Sequence, residues 1–240
     1  MRALVIEHDA ITPAGTIGDR LAHHGFGLTR LLVVPADRHT APDVRVDFPD
    51  PSGFDLVVSM GAPWSVYDEA KIGTWIGDEL TLLREAHHGG VPVLGVCFGG
   101  QALAAALGGR VERAPRPEIG WTGVETREPA LVGPGPWFQY HFDRWVTPPD
   151  ATEIAHNDVG PQAFRIGRSM AVQFHPEVTV DIVKTWQRFG EKDIRGLGLD
   201  PEALVAQTRE RASDAERRAH RFVDAFLHHA GLRRPDLRIP

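Results

Sequence analysis

The chain has 240 residues, a single cysteine, and 26 Lys plus Arg against 32 Asp plus Glu, for a formal net charge of −6. That length buries a sizeable core without a disulfide or metal staple. One cysteine excludes an intrachain disulfide and zinc sites built from several cysteines, and the acidic balance argues against a nucleic-acid binder. No apolar run approaches the roughly 18 residues of a membrane span. Glu7 brings acidity too early for a signal peptide, so the expected setting is a reducing cytoplasm.

In chain order, Ala3–Ile6, Leu28–Val34, Leu56–Met60 and Val91–Val96 are β-branched or aliphatic runs of strand length. Helical candidates lie between them, near Gly15–His24 and from about Ile72 to His88. The second places Ile76, Leu80, Leu83 and His87 at helical spacing and stops at Gly89-Gly90. Continuous apolar strands alternating with helices predict a mostly parallel central sheet covered on both faces. From Arg110 to Phe174 the runs shorten and are broken by Pro and Gly: Ile119–Thr126, Trp137–Phe142, Glu153–His156, Gln162–Ile166 and Ser169–Phe174. They predict antiparallel hairpins added to that sheet. Gly190–Leu199, with three glycines and no period, reads as a loop. Pro201–His229 reads as a long charged helix with one apolar stripe, Ala215, Ala219, Phe222, Val223, Phe226 and Leu227. Such a stripe packs on the sheet, or else serves a subunit interface in a homo-oligomer. The expected organisation is one domain over 1–190, extended by a loop and helical tail over 191–240.

The lone thiol sits at a sharp transition, Val93-Leu94-Gly95-Val96-Cys97-Phe98-Gly99-Gly100-Gln101, where an apolar strand gives way to an alanine-rich helix. Glycines at −2, +2 and +3 allow the close backbone approach that a nucleophile elbow requires. The free N–H groups and partial positive charge of the helix start favour thiolate over thiol. A thiol nucleophile needs a base, and the base needs an orienting group. The doublets His23-His24, His87-His88 and His228-His229 read as surface histidines, and no metal or cofactor is expected. His175 instead closes the strand Ser169–Phe174 and is followed by Pro176-Glu177. Residues i and i+2 of an extended segment share a side, and proline favours extension before it. His175 and Glu177 are therefore the candidate base and orienter for Cys97.

With those residues in place, the chain resembles the class I glutamine amidotransferases, and within them the stand-alone proteins similar to the glutaminase domain of GMP synthase. Four motifs within residues 50–180 carry the resemblance: Gly95–Gln101 around the cysteine, Val172–Val178 around His-Pro-Glu, Gly61-Ala62-Pro63-Trp64-Ser65-Val66-Tyr67-Asp68, and Phe138-Gln139-Tyr140-His141-Phe142-Asp143. The resemblance implies a flavodoxin-like α/β fold and attack by Cys97 on the side-chain amide of glutamine. A glutamyl thioester would form, and ammonia would be released to a separate acceptor synthase. It further implies an oxyanion hole from the N–H groups of Ala62 and Phe98, with substrate held by Gln101 and by backbone groups around Tyr140, His141 and Phe142. Three departures stand out: Ala62 replaces a glycine, Gly100 replaces a larger residue, and Phe142 stands where many relatives have glycine. They leave open a self-sufficient hydrolase of another γ-glutamyl amide, and a non-catalytic binding protein on the same fold.

Overall fold

The computed structural model describes residues 1–232. An eight-stranded mixed sheet forms its centre. In chain order the strands are β1 (Arg2–Glu7), β2 (Gly27–Leu32), β3 (Leu56–Ser59), β4 (Val93–Val96), β5 (Arg110–Thr122), β6 (Glu125–Thr126), β7 (Trp137–Val146), β8 (Thr152–Asn157), β9 (Gly160–Ile166) and β10 (Ser169–Val172). The helices are α1 (Gly15–His23), α2 (Glu69–Ile72), α3 (Ile76–His88), α4 (Phe98–Ala106), α5 (Val180–Gly196) and α6 (Pro201–His229). The central sheet runs β2-β1-β3-β4-β10-β9-β8-β6. Its first five strands are parallel, and β9, β8 and β6 are antiparallel additions. β5 and β7 pair antiparallel as a separate two-stranded sheet.

Alternation along the buried strands divides the core in two. Ala3 and Val5 of β1, with Val58, Val96 and Val172, face α1 and the expected stripe of α6, where Phe222, Val223, Phe226 and Leu227 are buried. Leu4 and Ile6, with Val57, Val93 and Ala171, face α3 and α4 through Leu83, Phe98 and Leu103. Both faces of the parallel section are thus apolar, which explains its unbroken hydrophobic runs. The antiparallel hairpins of the middle section divide between the main sheet and the separate β5–β7 ribbon. A buried polar network joins the two: Gln162 of β9 and Asn157 of β8 donate to Glu118 of β5, and Gln139 of β7 donates to Gln162.

Several expectations need correction. Helicity does not run unbroken from Ile72; the chain turns at 73–75, and α3 starts at Ile76. Leu82 and Ala86 belong to its buried face, whereas Leu80 and His87 are only half-buried. Most of the expected loop at 190–199 is helical, because α5 continues to Gly196. A side chain at Gly190 would put its Cβ 1.8 Å from the Tyr140 hydroxyl, so this glycine makes room for a ring from β7. His24 is not a surface residue. Its Nε2 lies 2.6 Å from Asp224 Oδ1, beside Arg20, which forms two bonds to the same carboxylate.

That cluster ties α1 to α6. Burial opposes ionisation of Asp224, but the bonds from Arg20 and His24 outweigh it and hold its pKa below the ordinary carboxylate value. A lowered folded-state pKa adds stability above the unfolded value, lost as pH falls through the folded one. Asp224→Ala is expected to destabilise the fold by about 3 kcal/mol near neutral pH, because it strands the largely buried Arg20 guanidinium and removes the partner of buried His24. Denaturant midpoints should show the gap between variant and wild type closing below pH 4, within the range where Asp224 takes up its proton.

Candidate active site

Parallel register brings the site residues together. Ile6 pairs with Ser59, Ser59 with Gly95 and Gly95 with Ala171. Two residues further along each strand, past the carboxyl edge of the sheet, come His8, Gly61, Cys97 and Gln173. The crevice outside the carboxyl ends of the strands is where open α/β sheets bind ligands. Here it holds a cavity of about 350 Å³ lined by Cys97, Phe98, Ala62, Gln101, Tyr140, His175 and Phe142, among others.

Cys97 forms the turn between β4 and α4 with φ 51° and ψ −108°, and it is the only non-glycine residue with positive φ among the described residues. Such a conformation costs on the order of 1–3 kcal/mol and persists only where the surroundings enforce it. The enforcing contacts are backbone hydrogen bonds: Cys97 N–H donates to the Val172 carbonyl at 2.8 Å, and Gly99 N–H to the Met60 carbonyl at 3.0 Å. The sulfur is buried at the cavity floor. Gln173 Nε2 lies 3.6 Å from it, and the Tyr140 carbonyl 3.8 Å.

His175 and Glu177 lie beside the thiol. His175 Nδ1 is 2.6 Å from Glu177 Oε1, and both side chains are buried. Burial works against a charged imidazole, but Glu177 and the nearby Cys97 outweigh it and push the His175 pKa up to about 10. His175 Nε2 makes no hydrogen bond of ordinary geometry, although Cys97 is among the groups that raise its pKa. The Trp186 ring stands edge-on to the imidazole at 4.7 Å, and its Nε1 donates to the Ile11 carbonyl. Trp186 thus covers one side of the imidazole, which still lines the cavity.

The other predicted residues fall around this centre. A Cβ built on Gly61 would sit 3.2 Å from His175 Cε1 and 3.9 Å from Cys97 Cβ, so the Gly61-Ala62 loop borders the thiol. Ala62 avoids positive φ, and no backbone or side-chain acceptor among the described residues takes its N–H. Gln101 lines the cavity, but its Nε2 is shared between the Asp143 carbonyl and Gln173 Oε1. The His141 imidazole is also engaged, by Glu118 and the Asp143 carbonyl. A Cβ on Gly100 would meet Trp145 and the Val172 carbonyl at 3.1 Å, so Trp145 fills the space a larger residue would need. Phe142 lies under the Arg113 guanidinium, 5.0 Å from it.

Three groups were not singled out from sequence. Gln173, within the His-Pro-Glu motif, donates to the sulfur. Asp143 accepts from Ser65 and from Tyr67, 78 and 76 residues earlier, and so locks two motifs together. His8 and Glu79 form a buried pair behind Gly61. Glu79 had a signal: it lies three residues after Ile76 and four before Leu83, on the buried stripe of α3, where a carboxylate requires a partner.

Fold and site define a doubly wound α/β protein with a cysteine elbow at its carboxyl edge. The family model described as glutamine amidotransferase class-I matches residues 19–185, and the chain belongs to that family. The GMP synthase [glutamine-hydrolyzing] of Porphyromonas gingivalis is 34% identical over 182 residues, covering 69% of this chain and 34% of that protein. The enzyme of the same name from Thermus thermophilus is 41% identical over 139 residues, 51% of this chain and 27% of that protein. The chain thus spans about a third or less of these relatives. Among solved structures, a glutamine amidotransferase from Thermotoga maritima superposes with TM-score 0.81 at 25% identity, covering 95% of this chain and 98% of that one. A Methylobacillus flagellatus protein at 24% identity shares the fold, also with TM-score 0.81, covering 95% of this chain and 94% of its own.

Because Glu177 is the first cause holding His175 above the ordinary imidazole value, Glu177→Gln is expected to bring that pKa down from about 10. An NMR titration of the histidine Cε1 resonances measures it. A His175 midpoint unmoved by the substitution would show that Glu177 does not set its charge.

Proposed function

We propose that this protein hydrolyses the side-chain amide of glutamine through a thioester on Cys97. The observation that carries the reading is the strained Cys97 turn beside the buried His175–Glu177 pair, with the Ala62 N–H free of an acceptor among the described residues. The Cys97 thiolate attacks the amide carbon, and the carbonyl electrons move to oxygen. The N–H groups of Ala62 and Phe98, the latter at the open start of α4, face that oxyanion; losing one such donor costs about 10²–10³ in rate. The tetrahedral intermediate collapses as His175 Nε2 gives its proton to the nitrogen. The C–N bond breaks, ammonia leaves, and the glutamyl thioester remains. Neutral His175 then takes a proton from water, hydroxide oxygen adds to the thioester carbon, and the C–S bond breaks to give glutamate and the thiolate. Glu177 holds the imidazole in orientation throughout. Gln101, Tyr140, His141 and Phe142 border the amino-acid end of the substrate, and an acceptor synthase, taken here as a separate chain, consumes the ammonia.

One observation favours a second reading, a hydrolase of larger γ-glutamyl amides. The cavity extends past the groups assigned to glutamine to His39, Trp64 and Phe189. The same acyl chemistry would serve, with an amine leaving in place of ammonia.

Cys97→Ala is expected to abolish release of ammonia and glutamate while leaving the thermal midpoint close to wild type; turnover persisting in that variant would reject the mechanism. A panel of glutamine and γ-glutamyl amides separates the two readings. Faster hydrolysis of the bulkier amides by the isolated protein would favour the second. On glutamine, acylation should fall as pH rises through about 10, where His175 loses the proton the leaving nitrogen needs.

A further inference from the structure

His8, one position past the end of β1, is fully buried, and its two ring nitrogens face two acceptors. Nε2 lies 3.0 Å from both oxygens of Glu79, and Nδ1 lies 3.1 Å from the Gly61 carbonyl. A neutral imidazole has one N–H and cannot satisfy both; an imidazolium can. Burial opposes that charge, but Glu79 and the Gly61 carbonyl outweigh it, so the pKa lies above the ordinary 6.5. Ser59 Oγ donates to Glu79 Oε1 at 2.8 Å, and the imidazole is held between Trp75 and the edge of Phe98. Nothing in the acyl-transfer chemistry uses this pair directly. A buried ion pair whose parts come from a strand end and a helix is costly to desolvate unless every polar atom is satisfied, and here it is.

The carbonyl that His8 holds belongs to the same peptide unit as the Ala62 N–H. A trans peptide is planar, with its C=O and N–H pointing to opposite sides, and there are no cis bonds among the described residues. Pinning the Gly61 oxygen toward His8 therefore aims the Ala62 hydrogen the other way, toward the side where His175 and Cys97 border the loop. A cationic donor on the oxygen also polarises the unit, which strengthens its N–H as a donor. We propose that His8 and Glu79 are a positioning pair that sets the direction and strength of the Ala62 oxyanion donor. The proposal rests on the acyl-transfer reading of the site, but its test need not use glutamine.

Two reagents separate the effect from general damage to the thiol. p-Nitrophenyl acetate acylates Cys97 through a tetrahedral oxyanion, whereas iodoacetamide alkylates it by displacement at saturated carbon, which forms none. Both rates are read by mass spectrometry of the intact protein, with N-acetylcysteine as the free-thiol reference. Wild type should favour acylation over alkylation more than the free thiol does; equal preference would mean no working oxyanion hole and would overturn the proposal, whether or not glutamine is a substrate. His8→Phe keeps a ring but no donor, and it should slow acylation about 10- to 100-fold, less than outright loss of a donor, with alkylation held within about twofold. His8→Asn, whose amide nitrogen sits where Nδ1 does, should recover most of that loss. Glu79→Gln, which keeps the shape of the pair, should slow acylation selectively as well, and it carries the test if His8→Phe does not fold. Acylation unchanged in folded variants, or acylation and alkylation falling together, would overturn the pair's assigned role. Loss of glutamine hydrolysis in wild type, with the acylation preference intact, would refute the proposed substrate and leave the positioning role standing.

Discussion

Parallel pairing of β1, β3, β4 and β10 is the constraint on which the rest of this protein depends. In a parallel ladder the register of one pair determines where the next strand's end falls, so four separate segments deliver His8, Gly61, Cys97 and Gln173 to one row. Two cores, one on each face, hold that register. Slipping any strand by one residue would turn its buried side chains to the opposite core and displace its contribution to the site. The same ladder supplies the backbone acceptors at Val172 and Met60 that keep Cys97 in its strained turn. Core packing and site geometry are therefore a single problem in this fold.

Among the buried histidine–glutamate pairs around the site, His175–Glu177 and His8–Glu79 differ in geometry. His175 leaves Nε2 without an acceptor, so its proton is available to a bound reactant. His8 has both nitrogens engaged, so its protons stay in place. A group with an uncommitted proton suits proton transfer, and a fully committed one suits a fixed field. Burial raises the cost of charge at both sites and makes the carboxylate partners indispensable to each.

The second sheet, β5 with β7, forms another wall of the site. Tyr140 presents its carbonyl toward the sulfur and sends its hydroxyl to Gly190 of α5, where burial and the charge of Asp193 push the phenol pKa up to about 12. The ring thereby couples the last helical turns of α5 to the thiol. Asp143, from the same strand, secures the Ser65–Tyr67 loop at the rim. Motifs distant in the chain meet here because β7 brings Tyr140, His141, Phe142 and Asp143 to the cavity lining.

The local sequence already carried much of this. Apolar runs marked the parallel strands, the α6 stripe marked a buried helix face, and glycines around Cys97 marked a tight turn, because periodicity and turn chemistry are local properties. His175 and Glu177 were legible as a pair because two residues of an extended segment share a side. His8 and Glu79 are separated by 71 residues and meet only when β1 and α3 pack on one sheet, so no local pattern pairs them. Gly190 misled for the same reason: a glycine in isolation suggests a loop, and only the Tyr140 hydroxyl packed against it explains a helix there. His24 likewise looked exposed until α6 brought Asp224 to it. Sequence by itself marked most of the elements and the candidate thiol with its nearest neighbours; tertiary structure alone decided which distant charges were buried together, because desolvation and hydrogen bonding depend on neighbours in space.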